Sequence, residues 1–424
     1  MTNNLRIYMV IDTFLPLVGG AEKQAFLQSR YLREQGVAAT IITLHYQRNW
    51  LAQEILEGVP VLRVAGTILS WREHAPAFVR RCCYFLALAV LGWQLWRRRH
   101  EYEILHVFQL TPFALPALFV CRLARKPLLI AMRNDAPPFQ QGTSRGRIRT
   151  RADLEALARM GRPTLRLLNR QLRQARARLI VLSTRMHASL KQYGLDGAEV
   201  LLIPNGVDTE HFQPCLTQQE AHATVVCVAK LRYQKGLDIL LQAWRQVLKQ
   251  MPAARLFIVG DGPLLVSLYH LASNLEIAHS VEFTGFCSDV ALYLQRARIA
   301  VLPSRWEGMP NALLEAMACG LACVATYVSG SEDLLQNGRY GVLVEPEDAE
   351  KLAEALLLLL RKPDLARHYG QLARKHIEQN FAFHQVMCRY QALYEMLFAE
   401  YQHGTHKHGI THIIDEKPDR PVKI

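Results

Sequence analysis

Short apolar runs alternate with helix-length segments along this chain, and the alternation plays out twice. In the first half the strand-like runs are Leu5–Ile11, Ala39–Leu44, Val61–Val64, Ile104–Phe108, Leu128–Met132 and Leu179–Leu182. A helix over Ala21–Gln35 and a long Arg-rich one near Leu154–Ala177 fill two of the gaps. Ile203-Pro-Asn-Gly-Val-Asp208 closes this set, and the pattern restarts with Thr224–Ala229, Arg255–Val259, Val281–Thr284, Arg298–Leu302, Ala322–Thr326 and Gly341–Val344. Strands separated by helices pair through crossovers, which favours parallel sheets covered on both faces. A chain of 424 residues also exceeds what one core usually supports. The fold class read from this is α/β, with two Rossmann-like, doubly wound parallel-sheet domains facing across a cleft. The boundaries fall at residues 1–203 and 204–382. A helix over 383–401 packs back on the first domain, and 402–424 forms a disordered tail. Open parallel sheets bind ligands beyond the carboxyl ends of their strands, so the cleft is the expected site.

One stretch has the chemistry for that place. Glu307-Gly308-Met309-Pro310-Asn311-Ala-Leu-Leu-Glu315 follows the run Arg298–Leu302 and leads into an Ala/Leu/Met-rich helix. Pro310 is expected in the first turn of that helix, where its missing N–H costs nothing. The unpaired N–H groups and the dipole of a helix start favour an anion such as phosphate. Glu307 before the helix and Glu315 one to two turns inside it can hold hydroxyl groups on either side of a bound diphosphate. The ordinary reading, a solvated acidic helix start, is outweighed by several stretches that agree with the first.

Gly19-Gly20-Ala-Glu22 follows the first strand, where paired glycines let backbone approach a ligand closely. Lys230 and Lys235 leave the first strand of the second domain, five positions apart, and can meet one diphosphate. Gly260-Asp-Gly-Pro263 is a turn at the next strand's end, and Gly285-Phe286 ends the third strand, where backbone can face a base. The chain contains no Asp-x-Asp pair to hold a divalent metal. Fixed cations and helix dipoles would then stabilise a leaving diphosphate, and no metal or other cofactor is expected.

The net charge of +13 is unevenly placed. Between Arg122 and Arg185 fifteen arginines and one lysine face only Asp135, Asp153 and Glu155, a local excess equal to that of the whole chain. An anionic partner is one reading: lipid headgroups, a phosphorylated acceptor or nucleic acid. Nucleic acid is set aside because no binding motif and almost no aromatics accompany the charge. A merely solvated basic helix is the other reading. Cys82–Trp96 is almost wholly apolar and bracketed by Arg80-Arg81 and Arg97-Arg98-Arg99. At fifteen residues it is short of the ~20 needed to span a bilayer. A buried core helix is the default expectation and an interfacial helix the rival. The nine cysteines form no CxxC pair and are expected reduced and in the core. Met1–Arg6 runs straight into a strand, so no secretory leader is expected and the protein is placed in the cytoplasm, peripheral on the inner face of the membrane. Ala136–Gly146 reads as a mobile loop. The tail histidines His403, His406, His408 and His412 are assigned no role.

Taken in order, these motifs resemble the GT-B glycosyltransferases of family 4 (glycosyl transferases group 1). The resemblance runs from the first strand to the last helix. It rests on Gly19-Gly20, Pro204-Asn-Gly-Val-Asp208, Lys230 with Lys235-Gly236, Gly260-Asp-Gly-Pro263 and the paired glutamates. It implies a retaining transferase that moves a sugar from a nucleotide donor to a lipid-linked or saccharide acceptor, in bacterial surface polysaccharide or glycolipid synthesis. It further implies that Glu307 holds donor-sugar hydroxyls, Glu315 the ribose, and Lys230 and Lys235 the diphosphate. Backbone at Gly19–Gly20 and Gly308–Asn311 closes on phosphates and sugar, and Phe286 lies near the base. A non-catalytic sugar-nucleotide-binding subunit and a transferase with a soluble sugar or sugar-phosphate acceptor are the alternatives. Two positions depart from the family. Lys230 stands where Arg is usual, which keeps the charge and loses the bidentate fork. His106-Val-Phe108 stands where His-x-His is frequent, with His106 read as structural.

Overall fold

The computed structural model describes residues 5–16, 19–47, 49–69, 76–133, 162–195, 198–215 and 223–403. The Ala136–Gly146 loop, the first turns of the Arg-rich helix and the tail beyond residue 403 lie outside the described residues.

Eight strands form the first sheet: β1 (Arg6–Ile11), β2 (Ala38–Leu44), β3 (Gln53–Leu56), β4 (Val59–Val64), β5 (Ile104–Val107), β6 (Leu128–Ala131), β7 (Arg178–Val181) and β8 (Glu199–Leu202). Their order is β3-β4-β2-β1-β5-β6-β7-β8, parallel except for the β3–β4 hairpin. Central β1 sets Ile7 opposite Ala39 on one side and Ile104 on the other. β5, β6 and β7 are buried at every position. That is why they read as unbroken apolar runs rather than alternating ones. Edge strands β3 and β8 were not anticipated: each has partly exposed positions, so neither carries a strong apolar signal. The β3–β4 turn uses Glu57 and Gly58, both at positive φ, as a two-residue hairpin demands.

Helices α1 (Gly20–Glu34), α2 (Ala77–Arg97), α3 (Leu115–Ala124), α4 (Arg162–Gln174) and α5 (Thr184–Gln192) belong to this half. The apolar segment was expected to be a short core helix, and α2 corrects that in length and in burial. It runs for 21 residues, and only 22% of its apolar window is buried. Ala87, Leu88, Leu91 and Leu95 enter the core, while the opposite side faces outward.

The second sheet has six strands, all parallel, in the order β11-β10-β9-β12-β13-β14. They are β9 (Thr224–Val228), β10 (Arg255–Val259), β11 (Val281–Gly285), β12 (Ile299–Leu302), β13 (Ala322–Thr326) and β14 (Val342–Val344). Helix α6 (Leu237–Gln250) presents Leu240, Leu241, Trp244 and Val247 at helical spacing to one face. Leu352, Leu356 and Leu359 of α8 (Ala349–Arg361) join the same cluster. Between them in sequence lies α7 (Asn311–Ala318), and α9 (Pro363–Asn380) follows α8.

The last helix, α10 (Phe383–His403), returns to the first sheet. Val386, Met387, Tyr390, Leu393, Tyr394, Leu397 and Phe398 are buried in one cluster with Ile7, Met9 and Ile41. Seven such side chains contribute roughly 10–20 kcal/mol of gross burial before the entropy of ordering is set against it. Where the chain crosses back it pairs with the outgoing linker: Val207 N–H donates to Phe381 O at 2.9 Å and Phe383 N–H to Val207 O at 2.8 Å. Buried Arg178 then bonds Glu400 on α10 at 2.8 Å and Glu199 on β8 at 2.9 Å.

Of the nine cysteines, all unpaired, Cys121, Cys227, Cys319 and Cys323 are buried. Cys82 and Cys388 are exposed, which corrects the expectation that all belong to the core.

Candidate active site

Strand order decides where the site lies. In the first sheet the winding direction reverses between β1 and β5, and in the second between β9 and β12. The loops leaving strands at such a switch point diverge and open a crevice. The loop after β1 carries Gly19 and leads into α1 at Gly20, that after β9 carries Lys230 and Lys235, and that after β12 carries Glu307 through Pro310 and leads into α7 at Asn311.

Glu307 is 5% exposed. It accepts a hydrogen bond from Ser304 Oγ at 2.6 Å and forms a short ion pair with Lys235 Nζ. Lys235 is brought to it by a single 3-10 turn, Tyr233–Lys235, closed by Gly236 at φ +62°. Only glycine fits there: a Cβ would stand 2.0 Å from Pro303 O, in the loop that carries Glu307. Gly330, at φ +75°, likewise backs the Gly308–Met309 turn, where a Cβ would lie 2.3 Å from Gly308 O.

Pro310 is the N-cap of α7, extended at φ −77° and ψ 110°, and not a residue of its first turn as expected. The reason is local: the turn that lifts Glu307 must end in extended backbone before the helix can start. No side chain caps α7, so its first N–H groups stay available for an anion. Glu315 lies in the second turn, buried, and pairs with Lys23 Nζ of α1 across the cleft at 2.6 Å.

Lys230 is exposed, and its side chain makes no hydrogen bond or salt bridge with a described residue. Desolvation by the surrounding protein and the neighbouring Arg232 and Lys235 charges push its pKa down, against the pull of Glu22. Glu22 is itself held by Thr13 Oγ1, which donates to it at 2.7 Å. Gly285, at φ +72°, and the exposed Phe286 end β11, the outer strand of the sheet. No described hydrogen bond or ring contact ties Phe286 to the glutamates.

Two residues that were not singled out, Arg133 and Lys23, bind this region together with Asn205 and Asn311 of the motifs. Arg133, just beyond β6, donates to Asn205 Oδ1 at 2.6 Å. Asn205 Nδ2 donates to Asn311 Oδ1 at 2.8 Å, and Asn311 Nδ2 to Gly20 O at 3.4 Å. A polar relay thus runs from the first domain through the linker to the α7 turn and back to the first domain. Lys23 adds the ion pair already described. Arg133 also lies 4.7 Å over the ring of Phe108, which stacks on His106 at 4.4 Å. Phe108 is fully buried and offers a ligand no polar atom. The cation at this strand end is therefore Arg133. His106 is buried with Nδ1 on Tyr394 Oη at 2.7 Å. Burial and the Arg133 charge hold its pKa well below the ordinary range, so it is neutral and structural. The position of Arg133, one residue past the apolar run Leu128–Met132, was the available signal, since strand ends at a cleft carry function.

Paired Rossmann-like domains with this crevice between them define the GT-B fold. Among solved structures, a sucrose-phosphate synthase from Thermosynechococcus elongatus matches with TM-score 0.73 at 20% identity over 93% of this chain and 99% of that one. An Anabaena protein crystallised with UDP and glucose matches with TM-score 0.71 at 18% identity over 92% of this chain and 100% of that one. The description Glycosyltransferase Family 4 matches residues 18–211, and Glycosyl transferases group 1 matches residues 208–376. The chain belongs to the family 4 glycosyltransferases. Among curated relatives, N-acetyl-alpha-D-glucosaminyl L-malate synthase of Bacillus anthracis is 30% identical over 44% of this chain and 48% of its own length. UDP-Gal:alpha-D-GlcNAc-diphosphoundecaprenol alpha-1,3-galactosyltransferase of Escherichia coli is 29% identical over 40% of this chain and 48% of its own length. The chain thus aligns with about half the length of these relatives.

Proposed function

We propose that this chain is a retaining, metal-independent glycosyltransferase. It moves a sugar from a nucleoside-diphosphate sugar to a lipid-linked or saccharide acceptor, in the assembly of a bacterial surface polysaccharide or glycolipid. The observation that carries the reading is Glu307, buried, bonded by Ser304 and Lys235, and set beside the uncapped start of α7 at the switch point of the second sheet. A diphosphate seated on the α7 N-terminus meets Lys235 and Lys230, whose charges stabilise it as it leaves. Glu307, fixed by its two partners, accepts hydrogen bonds from donor-sugar hydroxyls and is not a nucleophile. Glu315 accepts from the ribose, with Lys23 holding its carboxylate in place. The Gly19–Gly20 backbone closes from the other side. The acceptor hydroxyl attacks on the face the phosphate leaves, and a phosphate oxygen takes its proton, so configuration is retained. The absence of Asp-x-Asp supports a reaction in which these lysines take the place of a metal. The E. coli relative's printed name supports a diphospholipid-linked acceptor. Work on such an acceptor would place the chain in the cytoplasm, at the inner face of the membrane.

The test is donor consumption and product stereochemistry with a panel of UDP- and GDP-sugars, with and without acceptors, for wild type and Glu307→Ala. Transfer with retention that disappears in the folded variant is expected. Wild-type turnover in Glu307→Ala, or donor binding without turnover on any acceptor, would overturn the reading, the latter in favour of a non-catalytic subunit.

A further inference from the structure

On α2 the side chains that face outward form a continuous row. Phe78, Cys82, Phe85, Ala89, Trp93 and Trp96 follow one another at steps of three and four, the spacing of one helix face, and all are exposed. The next helix repeats the pattern with Leu115, Phe119 and Leu123, also exposed. The two helices touch at Gly92, where a Cβ would lie 3.4 Å from Pro116 Cβ, so the rows belong to adjacent helices. Apolar surface of this extent on a soluble domain needs a partner.

The charges around the rows say which. Neither α2, α3 nor α4 contains an acidic residue. Arg80 and Arg81 flank one end of α2, and Arg97 and Arg99 the other. Arg97 lies 5.5 Å over the ring of Trp93, and Arg99 lies 4.6 Å over that of Trp96. Arg122 and Arg125 stand beside the α3 row, and exposed Arg166, Arg170 and Arg173 line α4. Aromatic and aliphatic side chains rimmed by cations, with guanidinium groups above interfacial tryptophans, match the boundary between headgroups and acyl chains.

We propose that α2 and α3 form a platform that inserts its exposed row into an anionic bilayer surface, with the helix axis in the membrane plane. A spanning orientation does not fit. Leu88, Leu91 and Leu95 are buried in one core cluster with Tyr8, Val10 and Phe113, and β5, a few residues on, is an inner strand of the sheet. A second copy of the chain fits poorly, because a two-fold contact would set this basic rim against itself. The inference rests on the transfer reading only in that a lipid-linked acceptor would be met at this surface.

The experiment uses the full chain and vesicles of phosphatidylcholine with about one third phosphatidylglycerol. Wild type floats with these vesicles. Raising salt weakens binding and leaves a residue that pure electrostatic attraction would not leave. Phe85→Ser with Trp93→Ser lowers the bound fraction by at least about tenfold. Both residues face solvent, so circular dichroism and the melting shift given by donor are expected unchanged. No flotation of wild type at low salt, equal flotation of the variant, or a dimer in sedimentation velocity that the two substitutions abolish would each overturn the proposal. Donor-induced melting shifts are read separately. A chain that floats without binding any nucleotide sugar keeps the platform and loses the transfer reading, and the converse loses only the platform.

Discussion

Glu307 and Lys235 lend themselves to a double-mutant cycle. Glu307 is 5% exposed, and the Lys235 side chain is 19% exposed. Removing one partner of a fully buried pair costs about 3–5 kcal/mol, mostly the desolvated charge left behind. In Lys235→Ala the Ser304 hydroxyl still donates to Glu307 at 2.6 Å, and the pair is not fully closed to solvent. The expected cost is therefore smaller, about 2 kcal/mol. Glu307→Gln leaves an ammonium group that can turn toward solvent, for about 1 kcal/mol. In Lys235→Ala/Glu307→Gln no unpaired charge remains, so the double variant should cost about 1 kcal/mol, less than Lys235→Ala alone. The coupling energy is then about 2 kcal/mol. Urea midpoints of the second domain's transition, compared at equal slope, measure it. Turnover should follow another rule. Each single variant is expected to lose at least about a hundredfold, and the double variant should recover nothing, because the diphosphate still lacks its cation. Single-variant stabilities that simply add in the double would refute the pairing argument. Full turnover in Lys235→Ala would refute its role at the diphosphate.

Three further outcomes are expected. Transfer should persist in saturating EDTA, and a loss restored by magnesium or manganese would show that the lysines do not compensate the diphosphate charge. Glu315→Gln should raise the dissociation constant for the nucleotide about five- to tenfold, because an amide accepts more weakly than a carboxylate, with turnover at saturation changed far less; calorimetry on the free nucleotide checks this. His376 is buried against Tyr340 at 4.1 Å, and burial pushes its pKa down to about 4. The unfolded chain takes up that proton first, near 6.5, so the contribution of His376 is complete above that pH and is lost as pH falls toward 4. Between pH 7.5 and 5.5 the loss is about 1 kcal/mol. His376→Phe keeps the stacking and should flatten the denaturation midpoint over this window, whereas an unchanged slope would assign the acid sensitivity elsewhere.

What the sequence determined is the set of properties with short range. Strands buried on both faces must be apolar along their whole length, so β1, β5, β6, β12 and β13 announced themselves. The restart near residue 204 told of a second sheet. Glu307 through Glu315 could be placed in a turn and a helix beyond a strand because these nine residues follow the apolar run Arg298–Leu302 and carry both signals themselves. Edge strands β3 and β8 were missed for the converse reason, since a half-exposed strand leaves a mixed pattern. Pro310 shifted by one position because the turn geometry, not the residue, fixed where the helix begins. Tertiary structure alone decided which distant groups meet. Lys23 and Glu315 are 292 positions apart, and Asn311 reaches the carbonyl of Gly20 from 291 positions away. No periodicity encodes such a pairing. It follows from two switch points brought face to face by a linker and a returning helix. The exposure of α2 belongs to the same kind of fact: its composition fits a core helix equally well, and only the solvent exposure of one of its faces tells the two apart.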